Sequence, residues 1–173
     1  MHPRKVTVWA GFTSKFILPL AFVEGTETVN QSVYLRILRD TVLPSLPHPE
    51  QYMFMQDGAT AHTVNAVLDF LKTVFGDNLI SRRSFYPWPA RSPDLNPCDY
   101  FLWGYLKGKV FRSNPQTIEE LKNNISTEMA AITSDLLGRS VDSLFDRLLL
   151  ALGENGGHID TLAVLLLFWQ AAS

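Results

Sequence analysis

A strand, a sharp turn, a helix and a second strand follow one another between residues 52 and 83, and this succession limits the fold more than any other feature. The apolar run Tyr52–Gln56 is typical of a buried strand and leads into Asp57 and a glycine turn. A helical stripe follows, made of Val64, Val67, Leu68, Leu71 and Phe75. Gly76 ends the helix, and residues 79–83 form the next strand. Such a unit predicts two parallel strands joined by a right-handed crossover.

The segments on either side predict further strands and helices of the same domain. Residues 6–12 and 16–23 are rich in β-branched and aromatic residues and predict an antiparallel hairpin, with Pro19 favouring an edge or a bulge. Residues 31–43 have helical spacing behind the capping residue Asn30. Two apolar stripes, over 118–132 and 137–152, predict two later helices. The sequence therefore predicts an α/β domain.

Composition limits the classes of partner. The 173 residues carry a net charge of −2, so any contact with nucleic acid must come from local clusters of Lys and Arg. The single cysteine, Cys98, excludes an internal disulfide and points to a reducing compartment. The longest apolar run, Leu162–Trp169, is shorter than the ~20 residues of a membrane span, so we expect no membrane partner.

Two aspartates occupy positions typical of metal ligands. Asp57 ends a strand, and Asp99 lies near the start of a helix whose first residues, Asn96 and Pro97, are a capping residue and the favoured first-position proline. Carboxylates that converge in this way hold the Mg²⁺ or Mn²⁺ ions of phosphoryl-transfer enzymes. An Asp-Gly pair is also a common turn, so Asp57 alone does not decide between the two interpretations.

Two motifs resemble those of mariner-type transposases. Residues 56–63, QDGATAHT, resemble the second-acid motif [H/Q]-D-[N/G]-A-x-x-H, and residues 92–100, SPDLNPCDY, resemble S-P-D-L-x-P-x-[D/E]. Residues 6–11, VTVWAG, are similar to the V-x-V-W-G-G strand of that family, and residues 101–107 are similar to the segment after its last acid.

The resemblance implies a ribonuclease H-like mixed sheet, made of a hairpin and parallel strands flanked by helices. It implies an enzyme lineage that cuts and rejoins DNA with Mg²⁺ or Mn²⁺, with Asp57 and Asp99 as catalytic acids and metal ligands. It also implies DNA as partner, through transposon ends or without specificity, a homodimer and a nuclear location.

One acid of the family pattern has no match in this chain. The family carries its first acid on a central strand before the hairpin, whereas here no Asp or Glu precedes Glu24. We therefore expect a domain truncated at its N-terminus, with the first central strand missing and metal binding weak or absent. We also expect this chain to be inactive in DNA cleavage. The alternative is a non-catalytic module, retained from a transposon, that binds DNA or a protein.

Several basic residues lie near the two motifs. Arg82, Arg83 and Arg91 border the proline-rich loop and either contact DNA phosphates or form a solvated rim. Lys107 follows Asp99 and is expected to face the same groove.

Other residues have structural interpretations that we prefer. His62 could contact a phosphate or orient Asp57, but a histidine at this position more often satisfies a loop carbonyl. Asp94 is expected to bond its own backbone, and a nucleophilic role for Cys98 is disfavoured because no histidine partner is in place. Trp88 and Trp103 are expected in the core rather than stacked on a base.

The apolar C-terminal stretch has no counterpart in the family pattern. We divide the chain into a domain over residues 1–158 and an apolar tail over 159–173. Residues 162–169 within that tail are interpreted as a docking helix, an exposed interaction patch or translated flanking sequence.

Overall fold

A mixed sheet organises the computed structural model, which describes residues 5–25, 27–89, 92–152 and 163–172, with the backbone only for 149–152 and 163–172. The strands of these residues are β1 (Val6–Phe12), β2 (Ala21–Val23), β3 (Tyr52–Gln56), β4 (Leu79–Ser81), β5 (Tyr86–Pro87) and β6 (Ala163–Ala172). Their order across the sheet is β2-β1-β6-β3-β4-β5. The predicted α/β class with a hairpin and parallel strands is confirmed.

Helices cover both faces of this sheet. They are α1 (Gln31–Ile37), α2 (Asn65–Phe75), α3 (Trp103–Val110), α4 (Ile118–Ala130) and α5 (Ser134–Leu152). A π-helical turn extends α1 over residues 38–42, and another over 98–102 leads into α3. Among the described residues, no helix combines the length and the apolar character that crossing a membrane requires.

The predicted crossover unit is present. Strands β3 and β4 are parallel, and α2 between them buries the apolar stripe that the sequence indicated. The helix ends at Gly76, whose φ of 58° and ψ of −127° lie in a region that side chains with a Cβ avoid. Strand β4 ends at Ser81, two residues earlier than predicted.

The predicted hairpin is also present, with a shorter second strand. Strands β1 and β2 pair antiparallel, from Thr7 opposite Val23 to Trp9 opposite Ala21. Residues 16–20 contribute only an isolated bridge between Phe12 and Ile17, because Pro19 has no N–H to continue the ladder.

Two apolar clusters pack against opposite faces of the sheet. Met55 belongs to the cluster that includes side chains of α3, α4 and α5. Its neighbour Phe54 belongs to the cluster that includes side chains of α1 and α2. Successive residues of β3 are thus buried on opposite faces of the sheet, which explains why the strand is apolar along nearly its whole length.

Strand β6 corrects our interpretation of the C-terminal stretch. Residues 163–172 are a strand between β1 and β3, antiparallel to the first and parallel to the second. The docking-helix interpretation is therefore wrong for these residues. The domain boundary at residue 158 falls outside the described part of the chain. The position that we expected to lack its strand is occupied by β6, from the other end of the chain.

Candidate metal and nucleic-acid site

Asp57 and Asp99 line the same cavity. Its volume is about 420 Å³, and it lies where β3 ends and the helical segment before α3 begins. The lining residues are Asp57, Gly58, Ala59, Arg82, Trp88, Ser92, Pro93 and Asp99. Two carboxylates separated by 41 residues in the sequence are thus brought to one concave surface, as the motif pattern requires.

Asp57 is held in place by its own turn and by His62. Its Oδ1 accepts a hydrogen bond from the N–H of Ala59 (2.9 Å) and another from Nδ1 of His62 (2.6 Å). The imidazole is completely buried and stacks on Tyr34, with 4.3 Å between ring centroids. The expectation that His62 satisfies a loop carbonyl is wrong, because its ring orients Asp57, the alternative that we had ranked lower.

Gln56 is a site residue that sequence reasoning missed. Its side chain is completely buried at the end of β3. Its Nε2 donates to the His62 carbonyl (2.9 Å) and to Ser81 Oγ (2.8 Å), while its Oε1 accepts from the Tyr34 hydroxyl (2.8 Å). The sequence feature that could have identified Gln56 is its position, because it is a polar residue at the end of an otherwise apolar strand and directly precedes Asp57. Gln56 joins three segments beneath Asp57.

Asp99 is fixed by Asn96, which caps the helical segment as predicted. Asn96 Oδ1 accepts a hydrogen bond from the N–H of Cys98 (2.9 Å), and its Nδ2 donates to Asp99 Oδ2 (2.6 Å). Asn96 is itself buried, and both the oxygen and the nitrogen of its amide have hydrogen-bond partners. The carboxylate of Asp99 is therefore positioned by a cap rather than by a long loop.

The residue after Asp99 ties this segment to α5. The Tyr100 hydroxyl donates to the carbonyl of Ser140 (2.6 Å), and burial is the main cause that raises its pKa to about 12. The Arg147 guanidinium lies 4.2 Å from the Tyr100 ring and donates to the carbonyl of Asp94 (3.1 Å). Helix α5 thus holds both ends of the Asp94–Tyr100 segment.

The pKa values of the two carboxylates are shifted in opposite directions. Burial raises the pKa of Asp57, but the hydrogen bond and charge interaction with His62, together with the Ala59 N–H, outweigh it and lower the pKa below its usual value. Burial and the negative charge of Asp57 raise the pKa of Asp99, which the Asn96 hydrogen bond only partly offsets. The mutual repulsion is what a cation between the two would relieve.

These shifts predict stability effects of opposite sign for two conservative substitutions. Asp57→Asn should lower the free energy of unfolding at pH 7 by about 1.5–3 kcal/mol, because it removes a charged hydrogen bond to a buried imidazole. Asp99→Asn should raise it, by less than about 1 kcal/mol, because solvent still reaches the partly desolvated Asp99 carboxylate and screens its charge. Thermal unfolding at fixed pH measures both effects.

Both stability effects should depend on pH. The lowered pKa of Asp57 means that its contribution is present above the unfolded pKa of about 3.9 and is lost as pH falls through the folded value. The raised pKa of Asp99 means that its ionised form costs stability as pH rises through the folded value, so the gain from Asp99→Asn should vanish in acid. Asp94→Asn, at an exposed acid outside the cavity lining, is the control. Equal losses for both site variants would contradict the assigned environments.

The predicted basic residues are distributed unevenly. Arg82 lines the cavity. Arg83 does not line it, because its guanidinium donates to the carbonyl of Thr63. Lys107 is exposed on α3 and is absent from the cavity lining. Arg91 lies outside the described residues.

The remaining predictions concern aromatic, thiol and acidic side chains. Trp103 is buried, as expected, whereas Trp88 is only partly buried and lines the cavity. Burial and the nearby charge of Asp99 raise the pKa of the Cys98 thiol well above its usual value, which agrees with a structural rather than nucleophilic role. Asp94 lies in a short 3₁₀ turn and is exposed.

The donor set fits one hard divalent cation. Asp57 and Asp99 each commit one carboxylate oxygen to the local hydrogen bonds given above, and among the described contacts the other oxygen of each has no hydrogen-bond partner. Mg²⁺ is often held by only one or two carboxylates, with water and substrate phosphate completing its shell. Within the described ranges, no group of three or more His, Cys, Asp or Glu side chains could hold a metal ion.

Strand β6 brings no acid to this point of the sheet. Gln56 pairs with Leu167, so the β6 residue level with Asp57 is Phe168. The β6 sequence, AVLLLFWQAA, contains neither Asp nor Glu. The strand that neighbours β3 in the centre of the sheet therefore contributes no third carboxylate.

A mixed sheet with the order described, helices on both faces and two acids at a strand end and a helix start define a ribonuclease H-like domain. A structure of the Mos1 transposase catalytic domain with raltegravir and Mg matches it with a TM-score of 0.73 and 23% identity, over 90% of this chain and 78% of that chain. A Mos1 paired-end complex with the left transposon end matches with a TM-score of 0.70 and 25% identity, over 85% of this chain and 43% of that chain. A Mos1 paired-end complex with Mn matches with a TM-score of 0.72 and 22% identity, over 92% and 47%.

The chain is similar in sequence to transposases. The Tc3 transposase of Caenorhabditis elegans is 33% identical over 159 residues, which are 90% of this chain and 45% of the relative. The Mos1 mariner transposase of Drosophila mauritiana is 27% identical over 108 residues, 62% of this chain and 29% of the relative. No protein-family model matches. The homologues of this chain are Tc1/mariner transposases, and the chain spans less than half the length of these two.

Proposed function

We propose that this chain is a transposase-derived domain that binds DNA through one divalent cation between Asp57 and Asp99, and that it does not cut DNA by itself. The observation that carries the proposal is that both carboxylates line one cavity on a ribonuclease H-like sheet. Mos1 structures that contain Mg or Mn support divalent metal use in the lineage. The Mos1 complex with a transposon end supports DNA as the ligand.

Each residue has a distinct role in this proposal. Asp57 and Asp99 are the cation ligands, and Mg²⁺ or Mn²⁺, when bound, supplies positive charge that neutralises a DNA phosphate. Arg82 contacts a second phosphate from the cavity wall, where its guanidinium can donate two hydrogen bonds. Lys107 contributes to DNA binding outside this wall, and Arg91 is a further proposed phosphate contact. Arg83 acts indirectly, by fixing the backbone next to Arg82.

The ancestral reaction is hydrolysis of a phosphodiester, followed by strand transfer. The oxygen of a water molecule forms a bond to phosphorus, and the bond from phosphorus to the bridging oxygen breaks, which leaves one hydroxyl end and one phosphate end. In two-metal sites a pair of ions stabilises both the attacking and the leaving oxygen. Among the described residues, Asp57 and Asp99 supply ligands for one cation, and no group of three or more His, Cys, Asp or Glu side chains is present to hold a second. Since Phe168 is level with Asp57 and β6 has no acid, the proposed activity of this chain stops at binding.

The proposed setting follows from the DNA ligand. We expect the chain to act in the nucleus and to pair with a second copy, as the paired-end complexes of Mos1 suggest for that protein. The competing function is a module that binds a protein partner, and the acid-free β6 strand is equally compatible with it.

A binding and nicking assay tests the proposal. We expect the purified chain to bind duplex DNA with an affinity that falls steeply with salt, and to leave supercoiled plasmid intact in Mg²⁺ or Mn²⁺. Arg82→Ala should weaken binding and reduce the salt dependence by about one phosphate contact. Arg112→Ala, at an exposed residue past the end of α3 and outside the cavity lining, is the matched control. Absence of DNA binding would overturn the proposal in favour of the protein-binding module, and metal-dependent nicking abolished by Asp57→Asn would overturn its non-cutting part.

A further inference from the structure

Two aromatic rings are held out of the core in the segment between Arg82 and Trp88. Phe85 is 70% exposed and Tyr86 is 46% exposed, the two largest values among the exposed large hydrophobic residues of the described chain. Their rings meet edge to face, with centroids 4.9 Å apart and an angle of 86° between planes. We call this pair the aromatic ledge. Each ring orients the other, and the exposed face of Phe85 is available for stacking.

The backbone beneath the aromatic ledge is fixed by a set of short contacts. Ser84 Oγ accepts a hydrogen bond from the N–H of Ser81 (2.9 Å) and lies within hydrogen-bond distance of the carbonyls of Ser81 (2.9 Å) and Tyr86 (2.6 Å). The N–H of Trp88 donates to the same Ser81 carbonyl (2.9 Å). Arg83, at φ 69°, is anchored on Thr63. The ledge is thus pre-organised, which reduces the entropy lost when it binds a ligand.

The aromatic ledge lies in the short segment between two residues that line the cavity. Arg82 precedes it and Trp88 follows it, and both line that cavity together with Asp57 and Asp99. Only two residues separate Arg82 from Phe85, so a nucleotide strand with a phosphate against Arg82 can reach the ledge with its neighbouring groups. This places an apolar flat surface beside an anion-binding one.

We propose that the aromatic ledge is a nucleobase-stacking subsite for a single-stranded segment of the DNA whose phosphate enters the cavity. Aromatic side chains beside a guanidinium are the combination by which proteins hold unpaired strands: the rings stack on bases, and the cation contacts phosphate. Two rings are far too small for a stable protein interface, which buries about 800 Å² on each partner. The inference rests on the proposed function, because it requires DNA at the Asp57–Asp99 cavity.

The test compares single-stranded oligonucleotides with and without one abasic position, in Mg²⁺, by fluorescence anisotropy. Phe85→Ala should weaken binding of the intact strand about 10-fold, from the range of stacking energies per base. An abasic substitution at the stacked position should weaken wild-type binding by a similar factor and leave Phe85→Ala unaffected. Phe85→Trp should restore binding, and its added indole fluorescence should fall when DNA binds. Phe111→Ala removes another exposed aromatic ring, at the far end of α3 from Asp99, and should change nothing.

The outcomes separate this inference from the proposed function. Salt-dependent DNA binding with wild-type affinity in Phe85→Ala would overturn the stacking subsite and leave the phosphate site standing. Equal weakening of intact and abasic strands by Phe85→Ala would also overturn it. Failure of the wild-type chain to bind any DNA would overturn both. Restoration by Phe85→Trp together with loss of abasic sensitivity in Phe85→Ala supports stacking.

Discussion

Gln56→Leu should lower the free energy of unfolding by at least ~3 kcal/mol, the largest stability effect that we expect from a single substitution near the site. The change places an apolar side chain at the end of an otherwise apolar strand. However, it removes the hydrogen-bond partner of the Tyr34 hydroxyl, of Ser81 Oγ and of the His62 carbonyl. Each buried polar group left without a hydrogen bond costs about 1–3 kcal/mol. Denaturant unfolding followed by tryptophan fluorescence measures the loss.

Neighbouring substitutions serve as its controls. Met55→Leu, one residue earlier and equally buried, conserves volume and should cost less than about 1.5 kcal/mol. Tyr34→Phe removes one partner of Gln56 and should cost about 1–3 kcal/mol. A Gln56→Leu variant as stable as the wild type would mean that these hydrogen bonds do not support the strand end that carries Asp57.

The second large effect concerns the cation. Asp57→Asn and Asp99→Asn should each weaken Mn²⁺ binding by about 100-fold, equivalent to ~2.8 kcal/mol, because a site with two anionic ligands loses half of its charge. Isothermal titration with MnCl₂ at pH 7 measures the affinity. It should fall as pH decreases through the raised pKa of Asp99, because protonation removes one ligand.

Asp94→Asn provides the matched comparison, since it removes an exposed carboxylate of the same motif that does not line the cavity. Its Mn²⁺ affinity should equal that of the wild type. If all three variants weaken binding equally, the ion is attracted by the general negative charge of this surface rather than held between Asp57 and Asp99.

Local patterns predicted the elements that build the site. The stripe on α2 and the glycine at position 76 predicted a helix between two parallel strands, and the positive φ of Gly76 explains why glycine stands there. Asn96 followed by Pro97 predicted a capped helix start near Asp99, and Asn96 Oδ1 accepts from the N–H groups of Cys98 and Asp99 as a cap does. Such features depend on residues a few positions apart, which is what a sequence pattern encodes most directly.

The support of Asp57 depends on residues far apart in the chain. Tyr34 and Ser81 reach Gln56 across 22 and 25 residues, so no local pattern reveals that they meet. His62 was misjudged for a related reason. Its ring is buried against Tyr34, and this burial directs Nδ1 towards Asp57 rather than towards a loop carbonyl.

The position of β6 in the sheet could not be predicted from local sequence patterns, for a further reason. An apolar run without alternation is compatible with a buried strand or a buried helix, and its partners decide between them. Here those partners are β1, more than 150 residues away, and β3. Their pairing fills the centre of the sheet with a strand that carries no acid, which is why we propose a binding domain with two carboxylates rather than a complete nuclease.

The number of Mn²⁺ ions bound per chain at saturation tests this account most directly, and electron paramagnetic resonance of the free ion measures it. We predict one ion per wild-type chain and none at the same concentrations for the Asp57→Asn, Asp99→Asn double variant. Two ions per chain, or one ion that the double variant retains, would contradict a single cation site between these carboxylates.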